Sequence, residues 1–539
     1  MIRSPKSALF HPVPLACGAI ALALGGAACL EAQAADPPAA QAAAATAPVT
    51  AATASAGKLD VLFMVDDSSS MDGMQKKLAD QIPAFINGLQ SLPNGLPDIH
   101  IAVVSSDMGA PGDSTSSLGG CTDFGDQGIF RGGVSLQSGT GGASGKGGTG
   151  GSPDGGAGGA VGPCSGLSAG QTFLSNSGGA ANYTGDLGSV LQCMVGLGEQ
   201  GCGFEQQLSS VARALGADGA PMPVQNAGFL RPDAELAIVF LTNEDDCSAP
   251  SNTALYSLEV GGSNQQNISN ALGPIANYRC NSYGHLCVDP AAGGAACLIE
   301  PPLHPPADAQ GTGDALTLNL TDCESADGTG LESSVSGFVS GIRALKSDPA
   351  SQIVVGAIVA PATPYTVTWV PAQGGENTLS GELWPEVEHS CGAAGMDDVN
   401  PTAQLSVAGD DSFGDPAVRL TQFVNAFGAN GVTASVCDAS YASVLQNLVT
   451  KIGANLSGGA GTAGDTGTGG TGAAPPICAG GLNSGPSGSP GTGGSAGGPD
   501  GGLHQGFGCD VGAARPSGLA LGLLLGLLVL TWRRRASAR

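Results

Sequence analysis

One carboxylate and two hydroxyls stand at alternate positions in Asp66-Asp67-Ser68-Ser69-Ser70, directly after the apolar run Leu59 to Val65. Oxygens gathered this closely suit a hard divalent cation. Mg²⁺ and Ca²⁺ take carboxylate, hydroxyl, carbonyl and water oxygens, and Mg²⁺ keeps several waters, which leaves a position for a partner's carboxylate. Serine and aspartate are also good helix caps, so a bare Asp-x-Ser-x-Ser is weak, and its weight comes from the strand before it. Two further stretches offer oxygens. Asn243-Glu244-Asp245-Asp246 follows the apolar run Glu235 to Leu241 and Thr242, and Glu205 follows Gly201-Cys202-Gly203-Phe204. Glu205 can instead cap its helix, and residues 244–246 can instead form a solvated turn.

Other chemistries lack their residues. The six histidines are scattered, with neither zincin nor triad spacing, and no Cys-x-x-Cys occurs, so the usual zinc-ligand pattern is missing. Gly-Leu-Ser-Ala-Gly at 166–170 and Gly-Gly-Ser-Ala-Gly at 493–497 match a hydrolase elbow, but neither follows a strand. His389 beside Cys391 is the nearest Cys/His pair, and Cys391 belongs more naturally with the disulfide cysteines. An enzyme is not expected. With 45 acidic against 19 basic residues and a net charge of −26, the chain repels phosphate backbones, which excludes nucleic acid as a partner.

The elements that must position these oxygens alternate between strands and helices. Leu59–Val65, His100–Ser106, Glu235–Leu241 and Gln352–Ala360 are short, β-branched and apolar on both faces, as buried parallel strands are. Helical spacing appears in Met74, Leu78, Ile82, Phe85, Ile86 and Leu89, with a kink expected at Pro83. It recurs in Phe204, Leu208, Val211 and Leu215, and in Leu420, Phe423, Val424 and Phe427. A last helix carries Tyr441, Val444, Leu445, Leu448 and Ile452 on one face, with Asp438 as its expected cap. The expected fold is α/β, a doubly wound and mostly parallel sheet, and ligands of such sheets sit at the carboxyl edge where Asp66 stands.

With that strand, motif and alternation, residues Lys58 to about Leu456 resemble a von Willebrand factor type A domain, and Asp66, Ser68 and Ser70 resemble its metal-ion-dependent adhesion site. The resemblance implies that these three are ligands of one Mg²⁺ or Ca²⁺, directly or through water. The family's third loop reads Thr-Asp-Gly. Here Asn243 occupies the aspartate's place, and Asn243, Glu244 or Asp245 can supply the oxygen. The family's second-loop threonine is absent, with Cys202 near its place and Glu205 as a substitute. The implied function is a non-enzymatic module that binds a surface protein or glycan through the cation. A structural surface protein with a degenerate site is the alternative, and an envelope enzyme a lesser one.

The ends of the chain read as addresses. Arg3 and Lys6 precede an apolar run from Val13 to Ala28, and Ala32-Gln33-Ala34 offers a cleavage site, so residues 1–34 are an expected export signal, with Cys29 a candidate for acylation. Residues 517–532 form an expected hydrophobic helix followed by Arg533-Arg534-Arg535. Together with Cys509 this tail, 509–539, resembles the MYXO-CTERM sorting tail of myxobacterial surface proteins. That resemblance implies sortase-like processing, lipid on Cys509 and a place at the outer-membrane surface. Residues 35–57 and 457–508 are too poor in large apolar side chains to fold, and are expected to be a disordered leader and stalk. Twelve cysteines lie between Cys121 and Cys478, an even number suited to disulfides in an oxidising compartment. Cys193 with Cys202, and Cys280 with Cys287, are close enough for local bridges. Most of these cysteines fall in two insertions, about 107–192 and 247–330, which leave the metal edge and are expected to form a rim that selects the partner.

Overall fold

The computed structural model describes residues 57–110, 121–132, 164–250, 252–256, 272, 277–291, 298–307, 309–311, 316–328, 331–371, 383–395 and 399–457. All belong to the first of two units, Met1–Cys478 and Ala479–Arg539. The export signal, leader, stalk and sorting tail, with Cys29 and Cys509, lie outside the described residues, apart from Gly57 and Ser457. Among the described residues no helix is long and apolar enough to cross a membrane.

The architecture is α/β, built on a mixed, mostly parallel sheet of seven strands. In chain order come β1 (Lys58–Val65), α1 (Asp72–Gln90), β2 (Asp98–Ser105), a short hairpin of β3 (Leu174–Ser177) and β4 (Ala180–Ala181), then α2 (Leu187–Met194), α3 (Gln207–Leu215) and β5 (Glu235–Leu241). The second insertion contributes α4 (Asn277–Gly284), β6 (His285–Val288), β7 (Leu298–Ile299), β8 (Gln310–Gly311) and β9 (Leu316–Ser325). The core resumes with α5 (Val335–Arg343), α6 (Pro349–Gln352) and β10 (Ile353–Val359). After β11 (Tyr365–Pro371), β12 (Leu383–Val387), β13 (His389–Gly392) and β14 (Val399–Leu405), the chain closes with α7 (Val418–Asn425), β15 (Gly431–Ser435) and α8 (Ala442–Leu456). The main sheet runs β15-β10-β5-β1-β2-β3-β4, parallel from β15 to β2 and antiparallel beyond.

Central β1 shows why its sequence is apolar on both faces. Leu59, Val61, Phe63 and Val65 pack with α1, α2 and α8, while Leu62 and Met64 pack with α3, α5 and α7. Each such buried side chain contributes about 1.5–3 kcal/mol relative to exposure. Its one charged interior residue, Asp60, is matched by Arg231, whose Nε donates to Oδ1 at 2.8 Å. Gly356 in β10 has a packing reason too, because a Cβ there would lie 2.7 Å from Leu448 of α8.

Pro83 lies inside α1, on its exposed face. Several other expectations shift. Phe204 precedes α3 and stacks instead near Tyr256, with ring centroids 5.0 Å apart. Phe427 lies past the end of α7 and still packs on the core. Asp438 does not cap α8: the cap position is Tyr441, and Asp438 Oδ1 accepts from Gln404.

A second, antiparallel sheet, β12-β11-β9-β6-β7 with β8 on β9, was not expected. Its strands carry a period-two signal. Leu318 and Leu320 alternate with Thr317, Asn319 and Thr321, and Tyr365, Val367 and Trp369 alternate with Thr366 and Thr368; the apolar members share one core. Among the described residues five disulfides join Cys121–Cys202, Cys164–Cys193, Cys247–Cys280, Cys287–Cys323 and Cys391–Cys437. The expected local bridges, Cys193 with Cys202 and Cys280 with Cys287, are therefore not formed, because each of those cysteines reaches a segment 29 to 81 residues away. Loops of that length lose enough unfolded-state entropy for each bond to contribute about 2–4 kcal/mol.

At the opposite end of β5 from Asp66, Glu235 is 4% exposed. Its Oε1 accepts from Asn455 Nδ2 in the last turn of α8 at 2.8 Å, and Oε2 has no partner. Burial pushes its pKa from 4.5 up to about 8. A carboxyl held protonated by the fold binds a proton that the unfolded chain has lost, so its contribution falls as pH rises from 4.5 to about 8. Glu235→Gln is expected to flatten that fall and to raise stability by about 1–3 kcal/mol at the top of the window. Urea midpoints of both proteins across the window check it, and parallel pH profiles would refute it.

Candidate functional site

Strand register brings the first oxygens together. Val65 pairs with Ser105 of β2 and with Leu241 of β5, so the residues that follow, Asp66, Ser106 and Thr242, emerge side by side. The fully buried Asp66 carboxylate joins them: Oδ1 accepts from Ser106 Oγ at 3.0 Å and Ser68 N–H at 2.9 Å, and Oδ2 accepts from Thr242 Oγ1 at 2.6 Å. Burial raises the Asp66 pKa, and these hydrogen bonds oppose the rise. Gln75 of α1 fixes the turn, donating from Nε2 to the Asp66 carbonyl at 2.8 Å and to that of Gly198 at 2.9 Å.

Around this carboxylate stand oxygens without partners. Ser68 Oγ and Asn243 Oδ1 are both buried with no hydrogen bond, while Asn243 Nδ2 donates to Ser70 Oγ at 3.0 Å. Gln207 Oε1 is a third such atom, on a side chain whose Nε2 donates to Thr242 Oγ1. Glu205 is buried and hydrogen-bonds the half-buried Glu244, and both feel the charge of Asp66. Burial, then the repulsion of nearby carboxylates, pushes both upward. Asp66, Ser68, Ser70, Glu205, Asn243 and Glu244 are thus brought into one neighbourhood.

Asp245 is placed differently. Its Oδ2 accepts from Arg419 N–H at 2.7 Å and lies 2.8 Å from His285 Nε2, and Oδ1 accepts from Leu420 N–H at 3.1 Å. It caps α7 and anchors the second insertion. Burial alone would raise its pKa, but His285 and the two backbone donors hold it below the usual carboxylate range. Asp246 accepts from the Leu208 N–H of α3 at 2.8 Å and from Arg419 Nη2 at 2.9 Å, while Arg419 Nε lies 2.9 Å from Glu332. Residues 245 and 246 are therefore buried struts rather than a solvated turn, and Glu205 does not cap α3, whose cap residue is Gln206.

Sequence reasoning missed Ser106, Thr242 and Asp415. The first two were legible in principle, since Thr242 is the first residue after a predicted parallel strand and Ser106 is the last residue of another. Asp415 had no local signal: its N–H donates to the Asn243 carbonyl at 2.8 Å and its Oδ1 lies 2.6 Å from His389 Nδ1. Cys202, expected near the missing threonine, is bonded to Cys121 and so ties the Glu205 loop to the first insertion.

Neither a known protein family nor a curated protein matches the chain. A second group of donor atoms, from Cys247, Cys280 and Glu332, lies within 4.8 Å of one another, with the two sulfurs joined as a disulfide.

Arg419 is 1% exposed, and removing its charge leaves Asp246 and Glu332 buried against each other. Arg419→Met is expected to cost about 3–5 kcal/mol. Urea unfolding with the disulfides intact measures it, and a loss below about 1 kcal/mol would mark the pair as solvent-screened.

Proposed function

We propose that the chain is an exported, non-enzymatic surface module. Its doubly wound domain, of von Willebrand factor type A kind, binds a protein or glycan partner through one divalent cation, Mg²⁺ or Ca²⁺. The observation that carries this reading is the pair of buried, unpartnered oxygens, Ser68 Oγ and Asn243 Oδ1, beside Asp66 and Ser70. Each such oxygen costs about 1–3 kcal/mol when left without a partner. A hard cation removes both costs at once, and these atoms are of the type it takes. Ser68, Ser70 and Asn243 supply neutral oxygens, Asp66 acts directly or through water, and Glu205 and Glu244 supply further carboxyl oxygens. When bound, the cation offers a charged contact point to a partner at the carboxyl edge of the sheet.

The sequence of the two ends supports this reading, which puts the protein at the cell envelope, on the outer-membrane surface after sortase-like processing, with lipid on Cys509 or Cys29. Five disulfides support an oxidising compartment. One observation favours the alternative of a structural protein with a degenerate site: Asp66 already has three protein donors, and an amide replaces the third-loop carboxylate.

Calorimetric titration of Mg²⁺ and Ca²⁺ into the oxidised protein separates the two. Saturable uptake of one cation is expected, weakened at least about tenfold by Asp66→Ala and by Asn243→Ala. A folded wild type that takes up neither ion would sink the metal reading and leave the structural one.

A further inference from the structure

The geometry points to a second metal site, formed when the Cys247–Cys280 bond is reduced, in which both sulfurs and the Glu332 carboxylate hold one zinc ion. The three donors come from three segments: Cys247 follows Asp246 in the loop after β5, Cys280 lies in α4, and Glu332 precedes α5. The disulfide holds the two sulfurs together, and the fold brings a Glu332 oxygen within 4.8 Å of both. Two thiolates and a carboxylate are a borderline-soft set of the type zinc takes, with a fourth position left to water.

Glu332 supplies the independent observation. Both of its oxygens are buried without a hydrogen bond, although Arg419 Nε lies 2.9 Å from Oε2. Nothing in the disulfide explains a carboxylate there, since bonded sulfurs donate no proton to it. Gly284 admits it: a Cβ at that position would lie 2.5 Å from Glu332 Oε2. Burial raises the Glu332 pKa, and Arg419 opposes the rise. Zn²⁺ would offset two of the three negative charges of two thiolates and this carboxylate, and Arg419, shared between Asp246 and Glu332, would bear on the third.

The chemistry balances simply. A dithiol reductant gives two electrons and two protons to the disulfide, leaving two thiols and becoming a disulfide itself. Zn²⁺ then displaces both thiol protons, and any proton on Glu332, to solvent. The loop after β5 is tied to α4 in either state, by a covalent bond or by a metal. Cys247 N–H donates to the Glu205 carbonyl at 2.8 Å, so this tie borders the oxygens around Asp66.

The test uses the full chain, reduced anaerobically with a phosphine and then titrated with Zn²⁺ in excess Mg²⁺, beside the Cys247→Ser/Cys280→Ser double variant and Glu332→Gln. Reduced wild type is expected to hold one more zinc than the double variant. Glu332→Gln should hold that zinc at least about tenfold more weakly, and the oxidised chain should lack it. Cobalt in place of zinc should give a thiolate charge-transfer band that the double variant loses. Equal zinc stoichiometry in reduced wild type and double variant would overturn the proposal. So would loss of the folded circular-dichroism signal on reduction, before metal is added, because the site requires the fold to present the dithiol.

Discussion

The carboxylate of Asp66 is the point on which this end of the domain depends. Parallel pairing of β2, β1 and β5 in one register delivers Asp66, Ser106 and Thr242 to the same level. The carboxylate then accepts from two of the three strand ends around it and from its own turn. A buried carboxylate is costly unless satisfied, and here its satisfaction also fixes the three loops relative to one another. An apolar cluster that buries Ala110, Phe204, Cys247, Leu255 and Tyr256 packs the loops after β2 and β5 together as well.

A second layer of buried charge extends that order to the insertions. Asp245 meets His285 at the start of β6 and caps α7, while Asp246 caps α3 and meets Arg419, which reaches Glu332. His285 in turn lies 2.9 Å from Tyr365 in β11. One acidic tetrapeptide thus sends its first two residues toward Asp66, its third toward His285 in the antiparallel sheet and its last toward α3 and Arg419. Rearrangement of that sheet would have to break buried ion pairs before it could leave the loop unmoved. The insertions act on the oxygen cluster through the backbone of residues 243–246 rather than merely standing around it.

Four strands of the main sheet, β1, β2, β5 and β10, were legible because they are apolar and largely buried on both faces, whereas the part-exposed β3, β4 and β15 carried no such run. Asp66, Ser68 and Ser70 were legible because they follow such a strand. The antiparallel sheet was overlooked although Leu318, Leu320, Tyr365, Val367 and Trp369 alternate with polar residues, since the cysteines drew the reading toward a rim rather than a packed layer. Disulfide pairing was illegible for a physical reason. Spacing reports loop length, whereas Cys202 and Cys280 are joined to partners that tertiary structure brings near. The split role of residues 243–246 was also hidden, because the direction each side chain takes depends on α3 and α7, which arrive from other parts of the chain.

Asn243 then becomes intelligible through the charges around it. Asp66, Glu205, Glu244 and Asp415 already crowd this region; burial raises the first three, and repulsion from neighbouring carboxylates adds to the rise at Glu205 and Glu244. An aspartate at 243 would add another negative charge with no basic partner among those residues. The amide keeps an oxygen in that place at no such cost, and its Nδ2 donates to Ser70. Glu205 and Glu244 stand beside it, and burial raises both, so neither adds a full negative charge to the folded chain. A neutral amide flanked by a carboxylic pair therefore preserves an oxygen-rich pocket while limiting the repulsion that the folded chain must bear.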